Sequence, residues 1–274
     1  MKIKANGIQM NYELSGKEDA EVVVLGHSLA SSLVMWQPQM EELNRHHRVL
    51  CYDTRGHGGT DAPVPPYTLE QLGEDAVALL DALGIDTVHW VGLSMGGMIG
   101  QCIALNHPGR FKSLSLCDTA AVIPAEADPV WQERIDLVRR EGMAPSVQST
   151  LERWFTPPYL GLNPPVVDVI RRLISATPVD GYIGCSEAIR HLDYLDRLSE
   201  IKVPTLIMVG EDDPGTPVEA SRVMHDRIPN STLTVLPSAA HLSNIEQTER
   251  FNHALMKFLA AVSKNGPDKN KVTR

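Results

Sequence analysis

Gly92-Leu93-Ser94-Met95-Gly96 is the stretch on which the reading of this sequence turns. It follows a β-branched run, Thr87 to Val91, and opens an apolar run from Met98 to Leu105, so it lies where a buried strand turns sharply into a helix. Glycines on either side leave room for a strained backbone at the serine, which lifts the Ser94 hydroxyl clear of the sheet edge. The helix N-terminus behind it favours negative charge developing there. A Gly-x-Ser-x-Gly match arises by chance roughly 0.1 times in a chain of this length, and the strand before it and the helix after it remove most such accidents. Ser94 is therefore the candidate nucleophile.

A serine alcohol attacks only when a base takes its proton, and the base must be held in one tautomer by a third group. Both partners are expected later in the chain, acid before histidine, on loops that follow late strands. Asp213 stands in Gly210-Glu211-Asp212-Asp213-Pro214, just past the apolar run Thr205 to Val209. His241 stands in Pro237-Ser238-Ala239-Ala240-His241, just past Thr232 to Leu236. Of the ten histidines, His46, His47, His107, His225 and His253 fall on helices or helix ends and His89 falls within a strand, so position singles out His241. The acid is a choice between neighbours: Asp213, three residues after Gly210 and four before Pro217, is favoured, with Asp212 next. Pro214 and Pro217 interrupt the acidic run, and neither a twelve-residue calcium loop nor a Cys-x-x-Cys pair is present. No metal and no cofactor are expected.

Outward from this core, short β-branched runs at Glu21 to Leu25, Arg48 to Tyr52 and Thr87 to Val91 alternate with helical segments, the rhythm of a mostly parallel sheet flanked by helices, an α/β fold. After Tyr67, Thr68 caps a helix, Gln71 completes a capping box, and Leu69, Leu72, Ala76, Leu79, Leu80 and Leu83 share one face until Gly84. Further strands are expected at Ser113 to Cys117, Thr205 to Val209 and Thr232 to Leu236. Between 118 and 201 the alternation lapses into helical stretches broken by Pro157-Pro158 and Pro164-Pro165 and carrying Trp131, Trp154, Phe155, Tyr159 and Tyr182. This reads as a helical cap inserted over the carboxyl edge of the sheet, where ligands of open α/β sheets bind. The core is then 1–117 with 202–262, and the polar tail 263–274 is expected to be disordered.

The 274 residues suffice for one large core. Acidic side chains outnumber basic ones 34 to 25, giving a formal charge of -9 with no basic block beyond Lys269 and Lys271, which disfavours nucleic acid as a partner. The N-terminus carries no secretory pattern and no run approaches the length of a membrane span, so a cytoplasmic protein without membrane attachment is expected. Cys51, Cys102, Cys117 and Cys185 stand far apart, and Cys51 and Cys117, at the ends of apolar runs, read as buried small hydrophobes. Tyr52-Asp53-Thr54-Arg55-Gly56-His57-Gly58 reads as a supporting turn with a buried Arg/Asp pair. A homo-oligomer is left open.

With these residues in place, the chain resembles the α/β-hydrolase superfamily and, within it, the 3-oxoadipate enol-lactonases of bacterial aromatic catabolism. The likeness rests on Tyr52 to Gly58, Gly92-Leu93-Ser94-Met95-Gly96-Gly97, Leu116-Cys117-Asp118-Thr119-Ala120-Ala121, Arg153-Trp154-Phe155-Thr156-Pro157 and Ala240-His241-Leu242-Ser243-Asn244-Ile245-Glu246. The resemblance implies an oxyanion hole made by the backbone N–H groups of Leu29 and Met95. It further implies a small lactone bearing a free carboxylate, which calls for cations in the pocket, with Arg134 and Arg153 of the cap as candidates. His27, Ser28, Trp131 and Trp154 complete the candidate substrate-binding set. His27-Ser28 stands where most relatives carry His-Gly, which adds a hydroxyl near the substrate. The expected reaction is acyl transfer to water through an acyl-enzyme. Alternatives are a general carboxylesterase, a lactamase or perhydrolase with the same triad, or a non-enzymatic ligand-binding module.

Overall fold

A computed structural model describes residues 1–265. Among these residues eight strands form one sheet: β1 Lys2–Ala5, β2 Ile8–Gly16, β3 Val22–Gly26, β4 Arg48–Tyr52, β5 Val88–Leu93, β6 Phe111–Cys117, β7 Thr205–Gly210 and β8 Ser231–Leu236. Their spatial order is β1-β2-β4-β3-β5-β6-β7-β8. β1 and β2 pair antiparallel, as do β2 and β4, and all the other pairings are parallel. The expected α/β architecture is thus present, with the six expected strands shifted by at most two residues at either end.

Among the described residues eleven α-helices accompany them: α1 Gln37–His46, α2 Leu69–Ala82, α3 Met95–Asn106, α4 Asp128–Glu141, α5 Ser146–Trp154, α6 Pro157–Leu162, α7 Pro165–Ala176, α8 Val179–Arg190, α9 Val218–Arg227, α10 Ser243–Glu246 and α11 Thr248–Asn265. Side chains alternate along each central strand. Val24, Leu50, Trp90 and Leu116 face one apolar layer with Leu72 of α2, Ile99 of α3 and Met224 of α9. Val23, Val49, Val91 and Cys117 face the other with Leu43 of α1 and Phe251, Leu255 and Leu259 of α11. Each such buried aliphatic side chain contributes about 1.5–3 kcal/mol. Thr68 caps α2 by accepting from the Gln71 N–H at 3.1 Å.

Helices α4 to α8 all fall between β6 and β7, and α4 packs on α8 and α5 on α7. The hairpin of β1 and β2 has no counterpart in the sequence reading. Its signal was Asn6-Gly7, which takes φ 43° and 82° at the turn, the two positive values that a tight hairpin of this hand requires. The disordered tail expected over 263–274 is not found at 263–265, which belong to α11; the remainder of that segment lies outside the described residues.

The chain leaves β3 to form β4 on one side and returns to form β5 on the other. Gly26 of β3 is paired with Gly92 of β5, so the segments that follow these two strands emerge side by side at a topological switch point, the usual place for a ligand site in such sheets.

Candidate active site

Ser94 sits between β5 and α3 with φ 55° and ψ -116°, a conformation that costs a non-glycine residue about 1–3 kcal/mol and persists only where neighbours enforce it. The enforcing bonds are Ser94 N–H to Cys117 O at 2.8 Å, Gly96 N–H to His27 O at 3.1 Å and Thr119 Oγ1 to Ser94 O at 2.8 Å. A Cβ on Gly92 would collide with the Gly96 backbone, and one on Gly96 with the Gly26 backbone. Both glycines flanking the serine are therefore required by close approach of strand and helix.

Past β7, Asp213 is buried and Asp212 exposed. Only Asp213 reaches the histidine: its Oδ2 lies 2.8 Å from His241 Nδ1. The same carboxylate accepts from the Gly215 N–H at 2.8 Å, the Thr216 N–H at 3.1 Å and the Thr216 hydroxyl at 2.6 Å. Burial pushes the Asp213 carboxyl up, but the His241 charge and these bonds outweigh it and hold the carboxyl below its ordinary value. Burial pushes His241 down, and the Asp213 charge and hydrogen bond more than reverse this, leaving the imidazole above its ordinary value. Thr216 was not singled out in the sequence, although a threonine three residues after an aspartate in a loop is a common self-capping pattern.

Asp118 also escaped the sequence reading as a site residue. It follows β6, is fully buried, accepts from the Gly210 N–H at 2.8 Å and is bonded to the Ser243 hydroxyl. It thereby joins the strand end that leads to Asp213 to the segment that follows His241. Burial, with the Asp213 charge next, drives its carboxyl well above the usual range.

Ser94 and His241 open onto one cavity of about 330 Å³, lined also by Ser28, Leu29, Trp131, Arg134, Arg153, Trp154 and Tyr182. The Trp154 ring lies 6.4 Å from the His241 ring at 30°. Among the described residues the Ser94 Oγ makes no hydrogen bond, so its link to His241 is open, as is common before substrate binds. Neither the Leu29 N–H nor the Met95 N–H has a protein acceptor among the described residues, which leaves both free for an incoming oxygen. Arg134 stacks over the Trp131 ring at 5.4 Å, and Arg153 donates to Thr150 Oγ1 at 3.0 Å. Among the described residues neither guanidinium has a carboxylate partner within 4.0 Å. Burial, then the charge of Arg134, lowers the Arg153 pKa, as expected of two cations facing one space.

His27 departs from expectation. It does not line the cavity; it is fully buried, with Nδ1 bonded to Ser28 O at 2.7 Å and Nε2 accepting from the Thr54 N–H at 2.9 Å. Both ring nitrogens are occupied by backbone, so none is left for substrate. The buried pair in the Tyr52 to Gly58 turn also differs in its partner: Arg55 binds Asp75 of α2 through two bonds of 2.6 Å, whereas Asp53 accepts from the Leu33 and Gly59 amides. Phe155 and Tyr159 stack on each other, ring centres 5.3 Å apart, outside the cavity lining.

The two segments most particular to the resemblance meet. Glu246 accepts from the Thr156 N–H at 3.2 Å, from the Thr156 hydroxyl and from the Ala240 N–H at 3.0 Å, and the Leu242 N–H donates to Trp154 O at 3.0 Å. The loop bearing His241 is thus fastened on both sides to the junction of α5 and α6. The four cysteines are buried and unbridged. Among the described residues no helix is long and apolar enough to cross a membrane.

A family model described as the alpha/beta hydrolase fold matches residues 21–248. A 3-oxoadipate enol-lactonase of Acinetobacter baylyi is 39% identical over 253 residues, 92% of this chain and 94% of that protein. Among solved structures, the enol-lactonase from Burkholderia xenovorans superposes with a TM-score of 0.92 at 37% identity, covering 95% of this chain and all of that one. A thermophilic esterase from Thermogutta terrifontis, solved with malate bound, gives 0.90 at 30% identity over 96% of this chain and 98% of its own.

Proposed function

The chain belongs to the α/β-hydrolase family and is a hydrolase, and we propose that it opens a small lactone bearing a free carboxylate, 3-oxoadipate enol-lactone, by nucleophilic catalysis at Ser94. The observation that carries this reading is the cavity in which Ser94 and His241 face two guanidiniums, Arg134 and Arg153, that have no carboxylate partner among the described residues. In a chain of formal charge -9, free cations at the site select an anionic ligand. The names of the lactonases at 37–39% identity agree with that choice.

In the proposed sequence, His241 Nε2 takes the Ser94 proton as the oxygen attacks the lactone carbonyl, and Asp213 stabilises the imidazolium through Nδ1. The carbonyl oxygen becomes an oxyanion that accepts from the Leu29 and Met95 N–H groups. Collapse breaks the ring C–O bond, and His241 returns its proton to the departing enol oxygen, which stays tethered in the acyl-enzyme and relaxes to a ketone. Water, deprotonated by His241, then attacks the ester carbonyl and releases the acid, restoring the Ser94 hydroxyl. Protons and bonds balance with water as the only co-substrate.

Turnover of the enol-lactone beside p-nitrophenyl acetate, in wild type and Ser94→Ala, tests the proposal. Expected is a kcat/KM for the lactone well above that for the neutral ester, with both reduced about 10³-fold or more in S94A. Retained lactone turnover in S94A contradicts the mechanism. Ester turnover without lactone turnover moves the substrate to simple esters.

A further inference from the structure

We propose that His27 and His57 are positioning residues of the oxyanion hole: two neutral imidazoles, outside the cavity, that hold the peptides on either side of Leu29 and so aim the Leu29 N–H at the substrate oxygen. This rests on the reading of Ser94 as nucleophile. His27 Nδ1 lies 2.7 Å from Ser28 O, and His57 Nε2 accepts from the Ala30 N–H at 3.0 Å. The first bond fixes the oxygen of the Ser28–Leu29 peptide and the second the N–H of the Leu29–Ala30 peptide. A trans peptide is planar, with its C=O and N–H pointing opposite ways, so fixing Ser28 O fixes the direction of the Leu29 N–H. A donor on Ser28 O also polarises that amide and strengthens its N–H as a donor. The loop needs such restraint because Ala30 has φ 57°, an unfavourable value for a side chain with a Cβ.

The hydrogen bonds dictate the tautomers. His27 Nε2 accepts from the Thr54 N–H at 2.9 Å, and His57 Nε2 accepts from Ala30. Each Nε2 must therefore carry a lone pair and each Nδ1 the hydrogen, given by His27 to Ser28 O and by His57 to Arg55 O at 3.2 Å. The rings lie 5.3 Å apart and are fully buried. Protonating either would set an N–H against an N–H. Burial lowers both, and His27 beside it helps hold His57 at about 3. Thr54 and Arg55 belong to the turn after β4, so the Tyr52 to Gly58 motif acts as the jig on which the loop after β3 is set.

The test separates the two nitrogens of His27. Asparagine places an amide N–H near Nδ1 and keeps a donor for Ser28 O; glutamine reaches Nε2, keeps an acceptor for Thr54 and loses that donor. Expected for His27→Gln is a fall in kcat of roughly 10- to 100-fold with KM nearly unchanged, less than the 10²–10³ that follows outright loss of an oxyanion donor. Affinity for a boronic acid that forms a tetrahedral adduct on Ser94 should fall by the same factor. His27→Asn should recover most of that loss in both readouts. Equal losses in the two variants, or wild-type kcat in H27Q, would overturn the proposal. If a variant does not fold, ¹⁵N imidazole spectra of the wild-type protein decide: both rings should be neutral Nδ1–H tautomers between about pH 6 and 8, and an Nε2–H or cationic ring in that range overturns it. Failure of the underlying reading shows earlier, as a wild-type protein that turns over neither substrate and forms no Ser94 adduct, and it takes this inference with it.

Discussion

At the scale of single residues, the site depends on a division of labour among carboxyls close to one histidine. Asp213 accepts four hydrogen bonds, one from His241 and three from Gly215 and Thr216, and is held ionised. Asp118 receives fewer partners, is more deeply buried, and is driven toward its neutral form. Because the Asp213 charge raises His241 above the free value of about 6.5, the base is neutral only above that raised pKa. Hydrolysis should therefore fall as pH drops through a pKa higher than 6.5, read from the acid limb of kcat/KM. Asp213→Asn should lower kcat by about 10⁴-fold, as loss of the tautomer-fixing acid does elsewhere, and should move that limb to lower pH. An acid limb unmoved in D213N would assign the titration to another group. Ser94 and His241 were legible because motif and position coincide. Spacing to Gly210 and Pro217 favours Asp213 over Asp212, and the loop does turn Asp213 inward to His241 and Asp212 outward. His27 was misplaced because a histidine on the loop that turns toward the nucleophile reads as a contact, whereas its nitrogens are satisfied by backbone.

At the scale of elements, Ser94, Asp213 and His241 follow the ends of β5, β7 and β8, and Glu246 ties the last of these loops to the junction of α5 and α6. A hydrogen bond to a charged group contributes about 1.5–3 kcal/mol, and Glu246 is half-buried. Glu246→Gln presents an amide N–H to either the Ala240 or the Thr156 N–H, and should destabilise the fold by about that amount in urea titration. It should also speed hydrogen exchange at the Ala240 and Thr156 amides more than elsewhere. Uniform exchange across the chain would mean that the α5–α6 junction and the His241 loop are fastened by other contacts. Strands were legible from their β-branched runs, because both faces of the central sheet are buried and leave little polar interruption. The β1–β2 hairpin was not, since at the sheet edge its side chains alternate between exposed and buried and its runs look polar.

At the scale of the whole molecule, the sheet's two ends serve different purposes. The carboxyl edge carries the strained serine and faces the cavity lined by Arg134 and Arg153, which have no carboxylate partner among the described residues. The opposite edge carries a tie: Glu21, just before β3, bonds Lys112 of β6 at 2.5 Å, Ser263 of α11 at 2.7 Å and His89 of β5 at 3.2 Å. Burial pushes the Glu21 carboxyl up, yet these partners together bring it down to about 2. A depressed carboxyl contributes stability that is present above its unfolded value of 4.5 and lost as pH falls through about 2. Glu21→Gln should flatten the stability curve across that window, seen as a Tm that changes less with pH than in wild type; an unchanged slope would assign the acid sensitivity elsewhere. Such a tie between distant segments is invisible in a sequence, where Glu21 and Ser263 are unrelated positions, while the alternation of strand and helix that sets the architecture is local and readable. The most direct measurement of the chemistry is covalent: reaction of the native protein with a fluorophosphonate, followed by peptide mass analysis. A single adduct on Ser94, formed in wild type and lost in His241→Ala, is the expected result. Absence of an adduct on Ser94 in active wild-type protein would contradict Ser94 as the nucleophile.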